Sequence, residues 1–147
     1  GKRVAQLEEL QRLLLILQGE IRCVRLTLPA VCELLAKDAK APFQQFFWKV
    51  SEDLGKRTGQ TAGEIWSRNL KEIQKLLFLT KKEQQDLEEF GQLLGRMDMP
   101  MQLSVIQFYQ DKIMLSLAEA KAAADSRQKL YRYLGAVGGA ALVLVIM

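Results

Sequence analysis

The last fifteen residues, Tyr133 to Met147, carry no charge and are almost wholly apolar and small. A helix over this run is apolar all round and has no face to offer water. At about 1.5 Å per residue it reaches roughly 22 Å, short of the roughly 30 Å hydrocarbon layer, and Tyr131, Arg132 and Tyr133 can extend it by sitting at the interface. It reads as a C-terminal transmembrane anchor over 131–147, behind a helical-bundle domain over 1–130. Gly135 and Gly139 stand four apart and would let a second membrane helix pack closely. Lys121, Arg127, Lys129 and Arg132 precede the anchor, with Asp125 the nearest acid. Cations beside a span are retained on the cytoplasmic side, so the domain is expected to face the cytoplasm.

The rest of the chain is expected to be all-α, an antiparallel bundle of about six helices. At 147 residues it suits one domain, and Pro29, Pro42 and Pro100 fall between apolar-periodic stretches, as helix punctuation does. Leu7, Leu10, Leu14, Leu17, Ile21 and Val24 recur at alternating steps of three and four, which lines one helix face. Leu13, Leu15 and Ile16 widen that stripe, so this helix is expected to be covered on several sides. Burial of each seam side chain contributes about 1.5 to 3 kcal/mol before entropy is counted.

Thr27 is placed to cap a short helix with Pro29 in its first turn and Val31, Leu34 and Leu35 inside. After a linker from Asp38 to Ala41, Pro42 opens a helix with Phe43, Phe46, Phe47, Val50 and Leu54 inside. The stretch from Gly55 to Gln60 breaks it. Thr61 with Glu64 and Thr80 with Glu83 have capping-box spacing. They start helices buried through Ile65, Trp66, Ile73, Leu76 and Leu77, and through Leu87, Phe90 and Leu94. Gly95 is a stop. Leu103, Ile106, Ile113, Leu117 and Ala120 then mark a long last helix that runs into the terminal apolar segment.

Little in the chain suggests catalysis. There is no His, so nucleophilic triads and most metal centres lack their commonest member, and no catalytic residue, cofactor or metal site is expected. Cys23 and Cys32 read as packed thiols in a reducing compartment. Glu8 with Glu9, Glu52 with Asp53 and Glu88 with Glu89 read as solvated faces. The segment from Gly55 to Thr61 has three residues between its glycines and Gln60 where a phosphate-binding loop needs Lys, so it reads as a turn. The net charge of +4 is mild and its signs are interleaved, which points away from nucleic acid.

The candidates for partner contact lie off the core faces. They are Trp48, a stripe of Met101, Val105, Phe108 and Leu115 interrupted by Lys112, and an acidic patch of Glu83, Asp86, Glu88 and Glu89 able to dock a basic partner.

Phe90, Gly91, Leu94, Gly95, Asp98 and Gln102 follow the spacing Phe-Gly-x-x-Leu-Gly-x-x-Asp-x-x-x-Gln. Together with Tyr131, Leu134, Gly135, Gly138 and Gly139 at the start of the terminal helix, and Leu28, Pro29 and Leu35 earlier, this resembles the stage III sporulation protein AB family. The resemblance extends over the whole chain. It implies a cytoplasmic bundle similar to that of the type II secretion and type IV pilus platform proteins, carried between two membrane helices, the first upstream of Gly1. It further implies a place in the channel complex joining mother cell and forespore, in the outer forespore membrane. The expected partners are a secretion-type ATPase and other membrane proteins of the channel, with Asp98 and Gln102 added to the contact candidates and room left for a homo-oligomer. The rival reading is a tail-anchored helical regulator that binds a partner helix in a groove.

Overall fold

The apolar period translates into helices throughout. In a computed structural model, which describes residues 1–23, 26–96 and 99–146 and the side chains among them except at 23, 99, 100 and 137–146, the chain forms α1 (Lys2–Cys23), α2 (Leu28–Asp38), α3 (Phe43–Gly55), α4 (Ala62–Ile73), α5 (Lys81–Leu94) and α6 (Met99–Ile146). A short 3-10 turn, Gln74–Leu76, follows α4. Each helix packs on the next, and α6 returns to pack on α1, so the helices close a ring around one core. α1 and α6 run antiparallel, with Gln110 Nε2 donating to Gln18 Oε1 at 3.4 Å and Arg3 lying 4.0 Å from Glu119.

The caps form much as their spacing predicts. Thr27 Oγ1 accepts from Ala30 N, with Pro29 in the first turn of α2. Thr80 and Glu83 make the full reciprocal box at α5, whereas Thr61 makes only its own half, accepting from Glu64 N. The turn from α3 to α4 places Arg57 at φ 50° and Gly59 at φ 83°, and the glycine takes that left-handed geometry without steric cost.

Leu7, Leu10, Leu13, Leu14, Leu17 and Ile21 fill the core from α1, and Val24 lies outside the described residues. The expected cover on several sides does not extend to Leu15, which is 58% exposed. The ring gives α1 neighbours on two sides, α2 and α6, and its third side faces water. Leu76 is likewise exposed instead of buried, because α4 ends at Ile73 and the tighter turn rotates it outward while Leu77 and Leu79 turn in. Cys32 is fully buried, and loss of solvent pushes its thiol up to about 12, so it behaves as a packed apolar group.

α6 continues unbroken across residues 130 and 131, and every residue from 125 to 136 is exposed. Among the described residues no helix is long and apolar enough to cross a membrane. From residue 137 onward the expected anchor consists of side chains outside the described set, and the packing expected of Gly139 falls there too. At Gly135, no atom of the described residues lies within 4 Å of where a Cβ would stand.

Candidate interaction surface

An aromatic chain crosses the bundle and orders its faces. Phe46 of α3 meets Trp66 of α4 edge-on at 4.8 Å, Trp66 meets Phe90 of α5 at 6.3 Å, and Phe90 stacks on Tyr109 of α6 at 4.6 Å. Trp66 satisfies its one donor by giving Nε1–H to Leu87 O at 3.2 Å. Its ring lies directly on Gly91, where a Cβ would overlap Cδ2, Cε2 and Nε1. The Phe-Gly pair in the motif therefore makes the slot for Trp66.

Two further residues of that motif, Gly95 and Gln102, are also structural. Gly95 caps α5 by donating to Gly91 O, and Gln102 is buried, with its Nε2 donating to Leu94 O at 3.2 Å. Gln102 thus satisfies a carbonyl at the end of α5, which leaves it turned inward and away from any partner surface. Asp98 lies outside the described residues.

The acidic patch separates into an inner and an outer part. Glu83 is 4% exposed and faces the core side of α5, accepting from Arg3 Nη2 at 2.6 Å, Arg3 Nε at 3.0 Å and Thr80 N at 3.0 Å. It is a clamp between α5 and α1, not a docking charge. Asp86 is half-buried and lies 3.4 Å from Lys112 Nζ, which also lies 3.7 Å from Glu89 and stands 4.6 Å over the Phe108 ring. Glu88 accepts from Ser67 Oγ at 2.7 Å. Glu88 and Glu89 are the exposed carboxylates of the patch.

Phe108 and Leu115 are exposed along the same outer side of α6, as is Met101, while Val105 packs partly on the core. Trp48 is exposed on α3, and α4 packs against both α3 and α5, so Trp48 and the acidic face are separate features. Between α5 and α6, Phe90, Leu93, Val105, Phe108 and Tyr109 line a depression of about 10 Å³.

Two further carboxylates expected to be solvated are buried clamps. Glu9 accepts from Arg12 at 2.7 and 2.9 Å and from Lys40 N at 2.7 Å, and Arg12 reaches on to Asp38 O, tying α1 to the end of α2. Asp53 accepts from Arg68 at 2.7 Å and Asn69 Nδ2 at 3.0 Å, with Lys49 and Lys56 within 3.6 and 3.8 Å, tying α3 to α4. Asn69 Oδ1 is buried with no hydrogen-bond partner among the described residues. The missed signal was phase: Asp53 stands three residues after Val50 and seven after Phe46, on the core stripe, and Glu9 shares a face with Leu13 and Leu17.

All three carboxyls are held below their ordinary range. For Glu9 and Glu83 burial pushes upward, but hydrogen bonds from Arg12 and the Lys40 backbone, and from Arg3 and the Thr80 backbone, outweigh it. For Asp53 the Asn69 amide leads the downward shift against burial, with Arg68 behind it. A group that titrates lower folded than unfolded stabilises fully above its unfolded pKa and loses that stabilisation as pH falls through the folded value. The urea midpoint should therefore be flat from neutral pH down to about 5 and drop steeply below about 4. A midpoint that stays level from neutral pH down to about 3 would show that the clamps contribute nothing.

The model of the stage III sporulation protein AB family matches residues 1–147. The chain belongs to the stage III sporulation protein AB family. It is 29% identical over 146 residues to the stage III sporulation protein AB of Bacillus subtilis (strain 168), a match covering 99% of this chain and 85% of that protein. A solved structure of a stage III sporulation protein AB superposes with a TM-score of 0.72 at 28% identity, covering 84% of this chain and 96% of that one. This is a sporulation protein with the fold of that family. Within stage III sporulation protein AB, the Phe-Gly-x-x-Leu-Gly pattern has a physical reading here: a tryptophan slot followed by a helix cap.

Proposed function

We propose that the protein is a membrane platform or adaptor of the secretion-like channel between mother cell and forespore, coupling a cytoplasmic secretion-type ATPase to membrane components, with no catalysis of its own. The observation that carries this is the placement of the two ends of the bundle. Gly1 lines the same open hollow as Ala124, Arg127 and Tyr131, where α6 leaves the helices and heads toward the uncharged terminal run. A chain arranged this way enters and leaves its domain at one end, as a bundle carried by membrane segments must. In this reading residues 131–147 are the anchor, 1–130 face the mother-cell cytoplasm, and the outer forespore membrane is the host.

α6 is one helix of 48 residues, roughly 72 Å long, so a load on its bundle half passes to its terminal half without a joint. Glu88 and Glu89 are the docking charges this reading favours, with Phe108 and Trp48 as further contacts.

The test uses the full chain reconstituted in vesicles and the purified ATPase. Binding above that to empty vesicles, weakened about tenfold by Glu88→Lys with Glu89→Lys, is expected from the loss of two rim charges. An ATPase that binds the loaded and empty vesicles equally would overturn the coupling role.

A further inference from the structure

Where α6 leaves the bundle, a cavity of about 410 Å³ is lined by Lys2, Arg3, Val4, Phe78, Ala124 and Arg127. Its wall continues past Arg127 to Tyr131 and Arg132. Arg3 is committed to Glu83 at 2.6 Å. Lys2 and Arg127 are different: among the described residues neither has a carboxylate within 4 Å. Lys2 Nζ stands 4.9 Å over the half-exposed Phe78 ring, and Arg127 Nε reaches only the Ala123 carbonyl of its own helix, at 3.5 Å. Two exposed cations thus converge from α1 and α6 on one hollow, with an aromatic ring as its apolar wall.

The height of this hollow fits a headgroup layer. Arg127 precedes Tyr133 by six residues, about 9 Å along α6. Polar headgroups add roughly 5 to 8 Å to each side of the hydrocarbon, and a long basic side chain spans the remainder. We propose that the cavity binds the phosphate of an anionic phospholipid, with Lys2 and Arg127 on the phosphate oxygens and Phe78 beside the glycerol. The proposal rests on the anchor reading above. It makes the lipid a third support beside the two chain ends, one that fixes how the bundle is tilted on the membrane.

The full chain is reconstituted in vesicles of phosphatidylcholine alone or mixed with phosphatidylglycerol, floated, extracted in mild detergent and weighed with its retained lipid. Wild-type protein should float with both vesicles and keep phosphatidylglycerol about thirtyfold over its share of the mixture, since each of the two cations near an anionic surface contributes about 1 kcal/mol. Lys2→Gln with Arg127→Gln should float equally, unfold at the same temperature and lose the enrichment. Flotation without enrichment overturns the lipid site and leaves the anchor standing. Failure to float with either vesicle overturns the anchor, and the lipid site with it. An equal loss from Lys129→Gln alone would mean diffuse charge and overturn the site. Displacement of the lipid by free glycerol phosphate at matched concentration would make the hollow a site for soluble phosphate and overturn the lipid as its occupant.

Discussion

Replacing Gly91 by Val should cost about 3 kcal/mol or more, the upper end of what overpacking a rigid core does. The Cβ alone would overlap three atoms of the Trp66 indole, and that ring is held by Phe46, Phe90 and the bond to Leu87 O. Removing a helical glycine ordinarily stabilises by about 0.5 to 1 kcal/mol, so the sign of the effect isolates the clash. For a chain of this length the melting temperature should fall by about 6 to 12 °C. Gly91→Ala supplies the finer test. Its cost should shrink when Trp66 is Phe, which lacks the fused ring atoms in conflict. Strictly additive losses in that double-mutant cycle would mean the slot is not what constrains residue 91.

Arg3→Ala should destabilise more than Glu83→Gln, about 3 kcal/mol against 1 to 2. Removing Arg3 strands a carboxylate with 4% exposure, whereas removing the charge of Glu83 leaves an arginine that already reaches solvent at 21%. The pH profiles separate the two further. In wild type the folded pKa of Glu83 is depressed, so stability is lost as pH falls. Without Arg3, burial is opposed only by the hydrogen bonds from Thr80 N and Ser116, so the folded value rises and Glu83 loses less stabilisation on acidification. Denaturant titrations of the three proteins at pH 7 and 4 would decide the matter. A constant gap between wild type and Arg3→Ala at both pH values would contradict the buried clamp.

Helix existence was legible in the sequence because apolar spacing is a local signal, and Pro29, Thr27 and Thr80 mark ends through bonds made within four residues. Solvation was less legible. Leu15 and Leu76 are as apolar as their buried neighbours, and only the ring arrangement and the 3-10 turn decide that they face water. The carboxylates misled in the other direction. Adjacent acids look like a hydrophilic face, yet Glu9 and Asp53 occupy core phase and find donors on other elements, the Lys40 backbone N–H for Glu9 and Arg68, fifteen residues away, for Asp53. Glu83 is bonded to a residue eighty positions earlier, which no local pattern reveals. Of the candidate interaction surface, Trp48, Glu88 and Glu89 could be read from composition and phase. Lys2 and Phe78 could not, because their meeting depends on the loop after α4 returning to the start of α1.

The closing of α1 by α6 bears on how the protein is made. The leucine seam of α1 leaves the ribosome well before Ile113 and Leu117 of α6, which complete its cover. A nascent chain stalled between α1 and α6 would therefore carry an unshielded apolar ridge, a substrate for chaperones and proteases.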